Sequence, residues 1–322
     1  MTIYPPIIAA VVTFLLTIIL LRSKTANKIQ DIPNERSLHK APVPRIGGMA
    51  LVLGMFAGWA MVFRALPWWI VAPLLLLFSV SVLDDMRGLS VRYRLLVHLI
   101  AAGLLVLGTG LFAQHIWLGI MVLLLVVWMT NLYNFMDGSD GLAGGMALIG
   151  FAVYGIAAMQ GKYIPFALLN FSIAAAALSF LYFNFYPARV FMGDAGSIPL
   201  GFLAAAMGLW GWQIKLWPAW FPLLVFSPFV LDATVTLFKR ALRKEKVWQA
   251  HREHYYQRVV QIGFGHRNTA LVEYALMAGT GMIALLVLKF QGMAIVIVPT
   301  WGAIILSVML FVDHRWKISK HA

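Results

Sequence analysis

The chain contains no cysteine, so disulfides, thiolate metal sites and Cys nucleophiles are excluded at the outset. Charge is scarce as well: Asp, Glu, Lys and Arg make up 11% of the 322 residues, against about 25% in ordinary soluble domains. Hydrophobic residues make up 61%, which excludes a water-soluble globular protein. Acids are the rarer charge, 12 against 25 Lys and Arg, for a formal net charge of +13. Three catalytic signatures are missing too. No Gly-rich P-loop ending in Lys-Ser/Thr, no Gly-x-Ser-x-Gly elbow and no His-Glu-x-x-His pair is present, so ATPase, serine hydrolase and zincin readings lose their usual support. In a soluble chain the basic excess would suggest a nucleic-acid partner. In a membrane chain it reflects the positive-inside bias, and no nucleic-acid partner is expected.

What the chain does have is long apolar runs. A spanning helix needs about 20 mostly apolar residues, and eleven segments of that kind lie near 4–21, 47–63, 68–83, 95–112, 116–130, 144–159, 164–186, 197–212, 219–238, 269–288 and 293–312. The pattern predicts an all-α, polytopic integral membrane protein with one domain over 1–322. The first segment follows the uncharged Met1-Thr2-Ile3-Tyr4 and precedes Arg22, Lys24 and Lys28. It lacks a basic n-region and a small-residue cleavage site, so it reads as a spanning helix with its N-terminus outside. Alternation then places loops 22–46, 84–94, 131–143, 187–196 and 239–268 and the C-terminal tail on one side. Those regions hold 21 of the 25 basic residues; the rest are Arg64, Lys162, Lys215 and Lys289. This predicts a cytoplasmic face for the loops, with a periplasmic N-terminus and a cytoplasmic C-terminus. The opposite loops are only a few residues long, which suits a membrane enzyme facing one compartment.

The few acids gather in these loops. Asp84 and Asp85 close an apolar run in Leu83-Asp84-Asp85-Met86-Arg87. Neighbours on a helix point about 100° apart, so one carboxylate could face a metal or substrate and the other a basic group. A solvated helix end with an Asp84–Arg87 ion pair is the bland alternative. A second cluster runs from Asn131 through Asn134, Asp137, Gly138, Ser139, Asp140 and Gly141 to Ala143. Steps of three make Asn131, Asn134 and Asp137 neighbours on a helical surface. Their oxygens are hard ligands suited to Mg²⁺, which bridges a few protein oxygens to substrate phosphates; the alternative is a set of helix caps. The third cluster is Phe191-Met192-Gly193-Asp194-Ala195-Gly196-Ser197, a tight turn with Ser197 placed to cap the next span, whose N-terminus is a natural seat for a phosphate; an equal alternative is a plain connection in which Asp194 and Ser197 are only caps. In the fourth, Lys239-Arg240-Ala241-Leu242-Arg243-Lys244-Glu245-Lys246 reads as a topology anchor. His251-Arg252-Glu253-His254-Tyr255-Tyr256 offers donors for a diphosphate and sugar hydroxyls. Asp232 lies inside the ninth span, where an ionisable group is functional or paired, with Lys239, Arg240 and the acidic clusters as candidate explanations. His98 and His115 read as packing residues.

Taken in order, these clusters resemble the polyprenyl-phosphate N-acetylhexosamine-1-phosphate transferases, the WecA/MraY group of glycosyltransferase family 4. Asn34-Glu35-Arg36-Ser37-Leu38-His39-Lys40-Ala41-Pro42-Val43-Pro44-Arg45-Ile46-Gly47-Gly48 looks like the family's first cytoplasmic loop. Asp84-Asp85-Met86-Arg87, residues 131–143 and Phe191–Ser197 look like its Asp-Asp, Asn-x-x-Asn-x-x-Asp-Gly and third motifs. The resemblance implies transfer of a sugar 1-phosphate from a UDP-activated N-acetylhexosamine to undecaprenyl phosphate in the bacterial inner membrane, with Mg²⁺ as cofactor and Mn²⁺ as a substitute. By motif position, Asn134 and Asp194 would hold the metal. Asp84 would take the proton from, or orient, the lipid phosphate, with Asp85 in support. Asp137, Asp140 and Phe191 would contact the nucleoside, and His251, Arg252 and His254 the diphosphate or sugar. Membrane lipid and a second copy in a homodimer complete the expected partners. One departure stands out: many members carry His-x-His-His where this chain has His251-Arg252-Glu253-His254-Tyr255-Tyr256-Gln257, closer to the WbpL-like branch that initiates O-antigen. The alternatives are the phospho-MurNAc-pentapeptide transferase of peptidoglycan synthesis, a transporter or flippase using intramembrane acids, and a scaffold whose basic face binds anionic lipid.

Overall fold

The computed structural model describes residues 3–33, 38, 41–247 and 251–321. Of the first-loop motif, Asn34, Glu35, Arg36, Ser37, His39 and Lys40 lie outside the described residues.

Apolar composition and the need to satisfy every backbone amide without water make helix the default, and the fold is helical almost throughout. Helix α1 (Tyr4–Arg22) carries Pro5 in its first turn, where the missing N–H is no loss. Ser23 ends it and caps the short α2 (Lys24–Lys28) by accepting the Thr25 amide. The chain then forms a two-stranded antiparallel ribbon, β1 (Gln30–Asp31) with β2 (Val43–Pro44), which staples the ends of the first loop together. There follow α3 (Gly47–Ala60), α4 (Trp68–Arg87), α5 (Val91–Gly108), α6 (Leu111–Gln114), α7 (Ile116–Phe135), α8 (Leu142–Gln160), α9 (Ile164–Asn184) and α10 (Asp194–Gln213). The last third holds α11 (Trp220–Val225), α12 (Ser227–Leu242), α13 (Tyr255–Val259), α14 (Gly265–Lys289) and α15 (Ala294–His321). A π-helical stretch, Val260–Phe264, joins α13 to α14.

Among the described residues, nine helices are long and apolar enough to cross a membrane. The other two expected segments take different forms. Segment 47–63 is the 14-residue α3, and 219–238 is broken at Phe226 because Pro228 starts a new helix, giving α11 and α12.

Helix α10 is the most buried of the long helices, walled by α7, α4, α3 and α8. Helices α1, α3, α8 and α9 pack as a second layer beside it. One apolar core runs from Ala9 to Ala284 in sequence, and a small satellite of Tyr255, Ile305, Met309 and Val312 ties α15 to α13. Outward-facing Leu83, Leu107, Trp117, Leu124, Ile295 and Leu310 are exposed, as a surface bathed in lipid requires. The central position of α10 matters for the site, because its N-terminus meets the ends of α4 and α7.

Candidate active site

All five polar loops converge at one end of the bundle. Pro44 accepts the Phe191 amide (2.8 Å), and Phe191 and Met192 accept the Gly47 (3.0 Å) and Gly48 (2.8 Å) amides, so the first loop is sewn to the third motif. A Cβ on Gly48 would lie 2.2 Å from the Gly196 nitrogen, so only glycine permits this approach. Tyr256 donates its hydroxyl to the Phe135 carbonyl (3.1 Å), which brings the 251–256 loop to the end of α7.

At the centre is a chain of four side chains from four helices. Arg94 Nη1 on α5 bridges Asp84 Oδ2 of α4 (3.2 Å) and Asp194 Oδ2 of α10 (3.0 Å). Asn134 Nδ2 at the end of α7 donates to Asp194 Oδ1 (2.7 Å) and to Ser197 Oγ (2.9 Å). Asp84 also accepts the Leu89 amide, which closes the turn after α4. Beneath lies a cavity of about 10 Å³ lined by Ser81, Asp84, Arg94, His98 and Asp194 among others, room for about one water.

Asp85 faces the other way, as two neighbours on a helix must. Its carboxylate accepts the Asp194 (3.1 Å) and Ala195 (2.8 Å) amides, capping α10 from a residue 109 positions away. A carboxylate at a helix N-terminus satisfies free donors and meets the positive dipole end. Gly193, at φ +69°, lets the chain enter α10, and a Cβ there would sit 2.7 Å from Asp85 Oδ2. The cap expected from Ser197 is therefore made by Asp85: α10 begins at Asp194, and Ser197 Oγ inside it donates to the Gly193 carbonyl (3.1 Å). The local pair expected between Asp84 and Arg87 is replaced by Asp84–Arg94, since Arg87 points outward and is exposed.

Asp137 lies just past the end of α7, so Asn131 and Asn134 share the helix but Asp137 does not. Asn131 Nδ2 donates to the Val127 carbonyl (2.7 Å). Burial, and then the carboxylates of Asp194, Asp85 and Asp31, hold Asp137 well above the ordinary carboxylate range. Asp31 of β1 thus belongs to the same acidic neighbourhood, and Arg45 acts on Asp85 as a counter-charge. Asp140 is buried, accepts the Ala188 amide (3.0 Å), and lies 3.9 Å from His266 Nδ1. His266 bonds Ser139 Oγ (2.9 Å) and the Leu38 carbonyl (3.2 Å) and stacks on Tyr186 at 5.9 Å, so it joins three loops. Phe191 is half-buried where the first loop meets the third motif.

The histidine loop forms a second cluster. His254 is buried between Phe135 (6.2 Å between ring centroids) and Tyr256 (6.0 Å), with His251 4.8 Å away. His251 Nδ1 accepts the Glu253 amide (3.2 Å). Burial, then His254 and Arg240, lower the His251 pKa to about 4, so its ring is neutral at neutral pH. Arg252 is exposed. Asp232 takes neither of the basic partners considered for it, because Lys239 pairs with Asp313 of α15 and Arg240 with Glu245 (3.0 Å). It accepts instead from His254 and from the start of α13. Asp313 further receives Arg258 Nη1 (2.7 Å) and the Tyr255 hydroxyl (3.1 Å).

The structure thus joins Asp84, Asp85, Asn134 and Asp194 directly and sets Asp137 beside them. Asp140 lies on the His266 side, and His251 and His254 lie behind Phe135. Sequence reasoning missed Arg94, His266, Asp31 and Asp313. Arg94 has one sequence signal: it is ten residues past Asp84, one turn into the next helix.

Fold and site together define a polytopic helical membrane protein with an acidic centre at one end of its bundle. A model of glycosyl transferase family 4 matches residues 67–211, the stretch from α4 to α10 that supplies this centre. The chain is 30% identical over 256 residues to a phospho-N-acetylmuramoyl-pentapeptide-transferase of Chloroherpeton thalassium, covering 62% of this chain and 69% of that one. It is 29% identical over 291 residues to a probable undecaprenyl-phosphate N-acetylglucosaminyl 1-phosphate transferase of Bacillus subtilis (83% and 81%). It is 25% identical over 336 residues to an undecaprenyl-phosphate alpha-N-acetylglucosaminyl 1-phosphate transferase of Yersinia pestis (95% and 91%). The chain belongs to glycosyl transferase family 4, in the WecA/MraY group that its motifs resemble.

Proposed function

We propose that the protein transfers an N-acetylhexosamine 1-phosphate from a UDP-sugar to undecaprenyl phosphate, releasing UMP and leaving a lipid diphosphosugar. The observation that carries this reading is the Asp84–Arg94–Asp194–Asn134 chain, assembled from three motifs at the end of a lipid-embedded bundle. An apolar cavity of about 650 Å³ between α7, α10, α11 and α12, lined by Leu125, Met129, Trp212 and Phe226 among others, offers a polyprenyl chain a berth along the same α7 whose end carries Asn134.

In the proposed reaction a lipid-phosphate oxygen attacks the β-phosphorus of the UDP-sugar. The new P–O bond forms as the bond to the α-phosphate bridge breaks, and UMP leaves. Asp84 orients the lipid phosphate or takes its proton, with Arg94 beside it for the phosphate charge. Asp85 keeps α10, and with it Asp194, in place. His251, neutral at neutral pH, suits sugar hydroxyls, and the exposed Arg252 suits the diphosphate. His254 supports the same end of the donor, while Asp137, Asp140 and Phe191 serve the nucleoside.

Mg²⁺ fits the donor set. Among the described residues no three His, Asp or Glu side chains form an all-protein cage, and Mg²⁺ needs only one or two carboxylates beside substrate phosphates. Asp194 and the Asn134 amide oxygen would hold it, with Mn²⁺ as a substitute. When bound, the ion neutralises diphosphate charge. The relatives named as N-acetylglucosaminyl 1-phosphate transferases support N-acetylglucosamine as the sugar; a modified N-acetylhexosamine, and O-antigen or a related surface polysaccharide as its destination, rest on the departure at residues 251–257 alone.

Purified protein given undecaprenyl phosphate, Mg²⁺ and a panel of UDP-N-acetylhexosamines, UDP-MurNAc-pentapeptide included, is expected to release UMP. No release with any donor overturns the reading. The basic residues of the loops support a cytoplasmic face for the site. Because the chain has no native cysteine, a single cysteine introduced at Lys244 reports this directly: labelling from the periplasmic side reverses the orientation.

A further inference from the structure

Asp232 is buried in α12, a 16-residue helix that is not among the nine described helices long enough to cross a membrane, and is one of only twelve acids in the chain. Such a group needs a partner or a function, and here its partners are all on one short loop or its own helix. Oδ1 accepts the Tyr255 amide (2.8 Å), the Thr236 hydroxyl (3.2 Å) and His254 Nδ1 (3.2 Å), and Oδ2 accepts the Tyr256 amide (2.9 Å). The backbone bonds fix where α13 begins. The bond to Nδ1 does something more specific, because a carboxylate only accepts hydrogen bonds and the ring nitrogen facing it must therefore carry a proton. The proton on Nδ1 leaves Nε2 as the atom that can meet a ligand. Phe135 and Tyr256 flank the ring and hold its plane, and Phe135 directly follows Asn134 of the central chain.

We propose that Asp232 is a positioning residue for the sugar-phosphate donor, acting through His254: it sets the ring's tautomer and orientation and anchors the backbone that carries it. The proposal rests on the transferase reading above. It accounts for a buried acid without proton coupling, and it gives the 251–256 loop, which has no regular structure until Tyr255, a fixed point 23 residues back in sequence.

The test compares wild type with Asp232→Asn, which keeps the side chain's size but presents a mixed donor and acceptor. The donor KM is expected to rise about tenfold, the scale on which loss of a histidine's orienting partner acts in other sites. The KM for undecaprenyl phosphate stays within about twofold, because the Asp84 and Arg94 end is untouched. A purely structural loss would move both constants together. The second readout is ¹⁵N NMR of the His254 ring, assigned by difference from His254→Gln: wild type shows the Nδ1-protonated form, and Asp232→Asn shifts toward Nε2. An unchanged donor KM in folded Asp232→Asn, or a neutral wild-type ring protonated on Nε2, overturns the proposal. If Asp232→Asn does not fold, the wild-type spectrum still decides. If wild type releases no UMP, the transferase reading fails while the ring spectra judge the Asp232–His254 link separately.

Discussion

Two carboxylates do the same local work in different parts of the molecule. Asp85 caps α10 and Asp232 caps α13, each by accepting two consecutive amides of a helix to which it does not belong. Their surroundings differ. Asp85 caps the most buried helix of the bundle, and the capped residue, Asp194, is itself part of the central charge chain. Asp232 caps a five-residue helix that runs into a π-helical stretch and leans on a small satellite core. The lesson is that one device serves two ends: in the first region it fixes a charge, and in the second it fixes a ring.

The largest expected effect lies in the first region. Asp194→Asn removes the negative charge and one of the two acceptor oxygens that answer Arg94 and Asn134, while its size is unchanged. UMP release should fall by roughly 10²–10³-fold, as when a preorganised electrostatic group is deleted, with the protein still folded by thermal melting. Near-wild-type turnover would remove Asp194 from the centre and dissolve the contrast.

Next comes Asp85→Asn, the counterpart of the Asp232 substitution. It weakens the cap of α10 and should cost about 1 kcal/mol of stability. Turnover should fall about tenfold, the scale of a lost orienting partner, with both substrates affected, because Asp194 shifts. A change confined to the donor KM would show that the two caps play the same part after all.

The smallest effect is a pH dependence in the histidine loop. The folded protein keeps His251 neutral down to about pH 4, whereas an ordinary histidine takes up its proton near 6.5. Between those values the unfolded chain binds more protons, so the folded state loses stability as the pH falls through the window. The melting temperature should drop from pH 7 toward pH 4 more steeply in wild type than in His251→Gln. Equal slopes would show that His251 does not contribute.

Much of the first region is legible in the sequence. Asp84, Asp85, Asn134 and Asp194 each stand in a short polar run next to an apolar segment, where few explanations compete. The second region is not legible in the same way. Asp232 sits in an apolar run with Lys239 and Arg240 nearby, and proximity favours those cations. Lys239 in fact reaches Asp313, 74 residues on, and Arg240 reaches Glu245. Arg94 was hidden by a similar effect, since Arg87 lies within one turn of Asp84. The turn at Gly88 reverses the chain, so α5 rather than the end of α4 brings a guanidinium to the carboxylate.

By itself the sequence determined that the chain is a bundle of apolar helices with its polar residues in a few loops. Hydrophobic length and the scarcity of charge are local quantities, readable without knowing what touches what. The tertiary structure alone decided which loops meet and which charge answers which. It turned Asp85 and Asp232 into caps for distant helices, brought Asp31 and Arg45 to the acidic centre and split the ninth segment at Phe226. The physical reason is that a buried polar group must find a partner wherever packing puts one, and packing brings together residues that lie far apart in sequence.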